Sequence, residues 1–130
     1  MPLGICNYSG TQFLLVDIPG TYSLMSNSEE EEIARNYICF GKHDCVVVVV
    51  DATCLERNLN LVYQILEITS KVVICVNLLD EAKSKGIKID LKCLSSHFGV
   101  PVVGTIARKK SSLKKLMDAV LGVCNRKYFM

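Results

Sequence analysis

Val72-Val73-Ile74-Cys75-Val76-Asn77-Leu78-Leu79-Asp80 carries an unbroken apolar run straight into the pattern N-x-x-D. A run without polar alternation suits a strand buried on both faces, as in a parallel sheet. Three further runs share that character, at residues 12–16, 45–50 and 100–103. Helical patterns separate them. Residues 29–40 place Ile33, Tyr37 and Phe40 at helical spacing, with Asn27 or Ser28 available as cap and Glu29 to Glu32 in the first turn. Residues 55–68 place Leu55, Leu59, Val62, Ile65 and Leu66 on one face. Residues 90–98 read as a short helix with Gly99 just past its end. Ser112 can cap a last helix, whose buried stripe is Leu113, Leu116, Met117, Val120 and Leu121. Residues 1–10 and 125–130 read as loose ends. The alternation of strand and helix predicts one α/β domain with right-handed crossovers.

Composition narrows the function classes. Half of the 130 residues are hydrophobic and 22% are charged, which excludes wholesale disorder. The longest solid apolar run, Cys45 to Val50, falls far short of a membrane span of about 18–20 residues. The amino-terminal residues carry no secretory pattern. The seven cysteines are odd in number and form no C-x-x-C pair, which fits reduced thiols of a cytoplasmic protein. His43 and Cys45 are two potential metal ligands, and two do not make a site. Charge is uneven: residues 1–70 hold three Lys or Arg against nine Asp or Glu, and residues 71–130 hold twelve against four. The basic half reads most simply as solvated helix faces, although the stretch from Lys109 to Lys115 can meet an acidic partner.

In such a sheet, ligands sit beyond the carboxyl ends of the strands. The first run ends in Asp17-Ile18-Pro19-Gly20. An Asp there can hold a magnesium-bound water, and Pro-Gly can turn the Gly amide toward a terminal phosphate; a plain turn has the same composition. At Asn77-Leu78-Leu79-Asp80 the spacing lets the Asp carboxylate accept from the N1 and N2 groups of guanine, while the Asn side chain ties the loop to its neighbours. Asn and Asp are also ordinary loop residues. The fourth run leads into Gly104-Thr105-Ile106-Ala107-Arg108, where a backbone amide can donate to the guanine carbonyl. Each signal alone is weak. Their order, at the ends of three successive strands, is the order in which a GTPase uses them.

With that order, residues 12–123 closely resemble the G domain of ferrous iron transport protein B. The matching stretches are LLVDIPGTYSL, EEEEIARNYI, VVVVVDATCLERNLNL, VNLLDEAKSKGIKID and GVPVVGTIARKKSSLKKL. The resemblance implies a Ras-like P-loop NTPase three-layer sandwich with a mostly parallel sheet. It implies that Asp17, Ile18, Pro19 and Gly20 form the second switch, with Asp17 reaching magnesium through water. Asn77, Leu78, Leu79 and Asp80 would read guanine, and Thr105, Ile106 and Ala107 would close over the base. The family usually has Ser where this chain has Ile106, which spares the backbone amide. Thr21 stands where many GTPases place a water-orienting glutamine. GTP or GDP and Mg2+ are the implied cofactors. A membrane-pore domain is the implied partner in full-length relatives, whose G domain sits at the cytoplasmic face of the membrane. No nucleic-acid partner is expected.

A GTPase of this type begins with a strand and the loop G-x-x-x-x-G-K-[ST], which cradles the phosphates. Only eleven residues precede Gln12, so the first strand, phosphate loop and first helix are expected to be missing. The stretch from Gly104 to Ser111 mimics that loop but puts Lys109 where the second glycine belongs. Removing the central strand would leave two apolar edges unpaired, between residues 12–16 and 45–50. The expectation is a single incomplete G domain of marginal stability, self-associating through those edges, binding nucleotide weakly and not hydrolysing GTP by itself. The alternative is a non-catalytic protein-interaction module that keeps the fold.

Overall fold

A computed structural model describes residues 3–8, 10–16, 29, 32, 33, 36, 44–106 and 110–125 of the chain. Among them the strands are β1 (Leu3–Tyr8), β2 (Thr11–Val16), β3 (Val46–Asp51), β4 (Val72–Asn77) and β5 (Val102–Gly104). The helices are α1 (Leu55–Ile68), α2 (Leu79–Ser84), α3 (Leu91–Phe98) and α4 (Lys110–Asn125), with a 3-10 turn at Ala52–Cys54.

β4 lies between β3 and β5, parallel to both, with Val46 opposite Val72 and Val76 opposite Gly104. Its apolar run has the predicted cause. Val72, Ile74 and Val76 enter the core that α1 closes, with Val48, Val50, Val62 and Ile65. Val73 turns to the other face and packs under α4 with Val120 and Val123. A strand so enclosed has no solvent face to occupy with polar residues. Among the described residues β3 is covered on one face only: Val48 and Val50 are buried, whereas Val47 is 39% and Val49 59% exposed.

Local chemistry fixes the helices. In α1, Asn58 is buried with its Nδ2 donating to the Cys54 carbonyl at 2.8 Å, so a polar residue sits satisfied on the apolar stripe. Asp90 caps α3 by accepting from the Cys93 amide at 3.0 Å, and Gly99 ends it at φ 71°, in the left-handed region. Tyr63 of α1 meets α3 through a 2.7 Å hydrogen bond to His97 and a tilted ring contact with Phe98.

Four expectations change. Residues 3–8 are not a loose end: β1 pairs antiparallel with β2, from Leu3 opposite Val16 to Tyr8 opposite Thr11. Gly10 at φ 78° permits the tight turn between them, and β2 is therefore in a hairpin rather than in the parallel sheet. The short helix α2 follows β4 directly, where no helix was expected. α4 begins at Lys110, which places Ser112 inside it; Leu113 is 45% exposed, and the buried stripe runs Leu116, Ala119, Val120 and Val123. Glu29, Glu32, Ile33 and Asn36 are helical as predicted, but Ile33 is 38% exposed; Asn27, Ser28, Tyr37 and Phe40 lie outside the described residues.

Ile74 is among the largest fully buried side chains. Ile74→Ala is expected to lower unfolding free energy by about 2–5 kcal/mol, read as a lower urea midpoint at unchanged slope.

Candidate functional site

The parallel strands end side by side: Asp51 of β3 is opposite Asn77 of β4, and Val76 is opposite Gly104 of β5. This register brings the N-x-x-D loop and the loop after β5 together. The Thr105 amide donates to the Val76 carbonyl at 2.8 Å, which extends the β4–β5 pairing by one bond. The Thr105 hydroxyl donates to Asn77 Oδ1 at 3.1 Å, and the Leu79 amide donates back to the Thr105 carbonyl at 3.5 Å. Thr105 is 2% exposed, so these bonds form away from water.

Leu78 adopts φ 62°, ψ 35°, and is the non-glycine residue with positive φ among the described residues. A leucine there costs about 1–2 kcal/mol, so the tertiary bonds around it must hold it. The kink ends β4 and starts α2 at once, with Asp80 and Glu81 in the first turn, where acidic groups suit the helix amino end. Asp80 is half-buried there.

Asp51 belongs to the same edge. Its Oδ1 accepts from the Thr53 hydroxyl at 2.6 Å and the Thr53 amide at 2.8 Å, and these bonds hold the carboxyl below its ordinary value. It thereby caps the 3-10 turn that leads into α1. An open depression of about 520 Å3, lined by residues 52–57 and 87–89, shares no lining residue with the Asn77–Thr105 cluster.

Of the predicted site residues, Asn77, Leu78, Leu79, Asp80 and Thr105 come together as one loop cluster, and half-buried Ile106 follows Thr105. Asp17, Ile18, Pro19, Gly20 and Ala107 lie outside the described residues. The amide and hydroxyl of Thr105 are both engaged with β4. Among the described residues no cluster of three metal-ligating side chains occurs. Two residues escaped the sequence reading. Gly104 lets β5 approach the leucines, since a Cβ there would collide with Leu79 Cδ1 and lie 2.8 Å from Leu91 Cδ1. Cys75, buried on β4, stands 3.3 Å from the Thr105 hydroxyl. The apolar run containing Cys75 offered no signal; Gly104 was visible as a strand-end glycine and as the start of the stretch that mimics a phosphate loop, not as a packing position.

A mostly parallel sheet with helices on both faces, and two loops joined at its carboxyl edge, defines an α/β fold of the Ras-like nucleotide-binding class. The family model for ferrous iron transport protein B matches residues 2–120, and the chain belongs to that family. The G domain of FeoB from Methanococcus jannaschii is 44% identical, with a TM-score of 0.90 over 95% of this chain and 79% of that one. The cytosolic domain of the T. maritima FeoB iron transporter in its GMPPNP form is 38% identical, with a TM-score of 0.89 over 94% of this chain and 50% of that one. The Fe(2+) transporter FeoB of Campylobacter jejuni is 39% identical over 93% of this chain and 20% of its own length. The chain thus spans about a fifth of the curated relatives it matches.

Gly104→Ala is expected to displace Leu79 and with it the N-x-x-D loop, at a stability loss of about 1–3 kcal/mol. Urea unfolding measures the loss, and faster amide exchange at Leu79 than in the wild type reports the loop.

Proposed function

We propose that this chain is the base-reading part of a guanine-nucleotide-binding regulatory domain of a ferrous iron transporter, acting at the cytoplasmic face of the membrane. The observation that carries the reading is the Asn77–Asp80 loop, kinked at Leu78 and held to Thr105. In this reading Asp80 accepts from guanine N1 and N2, and Asn77 keeps the loop in register. Ile106 and Ala107 close over the base with their backbone. Asp17 to Gly20 would meet the terminal phosphate, and Asp17 would hold magnesium through water. The magnesium supplies charge neutralisation to the phosphates. The loop cluster fits the base end of the nucleotide, since it supplies a carboxylate in a helix first turn beside a fixed carboxamide. In the longer protein the domain answers to a membrane-pore domain.

Displacement of fluorescent GDP from the purified chain tests the reading, with GTP, GDP, guanosine and ATP as competitors and magnesium varied. Guanosine and the guanine nucleotides are expected to compete and ATP not. Asp80→Ala is expected to weaken guanine binding by about 1–3 kcal/mol, a loss of about fivefold to over a hundredfold. Absence of guanine competition up to millimolar concentration, or equal competition by ATP, overturns the assignment.

A second reading, an interaction module that associates through strand edges, draws on β3. Its hydrogen-bonded neighbour among the described residues is β4 alone, and Val47 and Val49 are exposed on the face where Val73 is covered. A second copy of the chain is the proposed occupant of that edge. Sedimentation is expected to show concentration-dependent dimers for the wild type and monomers for Val49→Lys. A wild-type monomer at all concentrations removes this reading.

A further inference from the structure

The guanine reading leaves one buried polar group on β4 without a role. Cys75 is 4% exposed and flanked by Ile74 and Val76, both in the apolar core. Burial pushes its thiol above the ordinary value, so it keeps its proton and remains a donor. Its Sγ stands 3.3 Å from Thr105 Oγ1. A threonine hydroxyl has one proton, and that of Thr105 goes to Asn77 Oδ1. The Thr105 oxygen is therefore the acceptor for the Cys75 thiol. The three groups form a directed chain from Cys75 through Thr105 to Asn77.

The direction matters because the carboxamide of Asn77 has two unlike ends. Receiving a proton from Thr105 commits its oxygen to the protein and turns its Nδ2 group the other way. A donor to the Thr105 oxygen polarises the hydroxyl and strengthens its bond to Asn77; without that donor the bond weakens and the carboxamide is held less firmly. We propose that Cys75 is a positioning residue for the guanine-reading loop, fixing the Thr105 hydroxyl and through it the orientation of Asn77. The proposal rests on the nucleotide reading above for its consequence, but not for its geometry. Packing alone does not require a thiol at this position, since its neighbours Val73, Ile74 and Val76 are aliphatic and fully enclosed.

The test compares Cys75→Val, which fills the space without a donor, with Cys75→Ser, which keeps one, in the full chain; Cys75→Ala serves in place of the valine variant if that does not fold. The first readout needs no ligand: the side-chain amide protons of Asn77, followed by NMR. Their shifts are expected to move in Cys75→Val, with solvent exchange about fivefold faster, and to stay at wild-type values in Cys75→Ser. The second is the affinity ratio of GDP to inosine diphosphate, which lacks the 2-amino group that Asp80 would read. It is expected to fall about fivefold in Cys75→Val and to be kept in Cys75→Ser. If the valine variant leaves both readouts unchanged, whatever its unfolding midpoint, Cys75 only fills space and the proposal is overturned. If the wild type binds no guanine nucleotide, the nucleotide reading fails by itself, and the Asn77 amide alone decides the relay.

Discussion

The enclosure of β4 on both faces is the constraint from which the remaining structure follows. Val72, Ile74 and Val76 are committed to the α1 side, and Val73 to the α4 side. Burying a valine or isoleucine fully is worth about 1.5–3 kcal/mol, and the residues concerned are consecutive. A one-residue slip of β4 would exchange its two faces at once. The register with β3 and β5 is therefore fixed by packing, and that register sets Asn77 beside Thr105. The position of the polar loop is thus a product of the apolar strand that precedes it.

The same logic accounts for what was legible in the sequence. β4, β3 and α1 were found because their patterns are set by burial, and burial leaves a periodic trace. The N-x-x-D loop was found because it closes such a run. β1 was missed because Gly4, Cys6 and Asn7 interrupt its apolar character. α2 is six residues long, too short for periodicity to show, and a leucine with positive φ introduces it. The stripe on α4 was displaced because the packing partner decides which face is covered; lying against Val73 and Val103, the helix buries Val123 and exposes Leu113.

Site chemistry was less legible than site location. Asn77, Asp80 and Thr105 were each named, but the bond between Asn77 and Thr105 depends on the juxtaposition of residues 28 positions apart, which no local pattern records. Cys75 lies deeper still, since in an apolar run a cysteine counts as one more small hydrophobe. Its polar behaviour appears only once Thr105 is placed behind it.

Leu78 gives the loop a further property. A leucine at φ 62° is not a conformation the free peptide favours, so neighbouring structure imposes the shape. The sheet register and the Thr105 bonds do this without any ligand. In the proposed reading, a nucleotide base arriving at this edge would meet a surface whose form was set during folding. Little loop entropy would then remain to be lost on association, and the encounter would be governed by diffusion and orientation rather than by waiting for the loop to close.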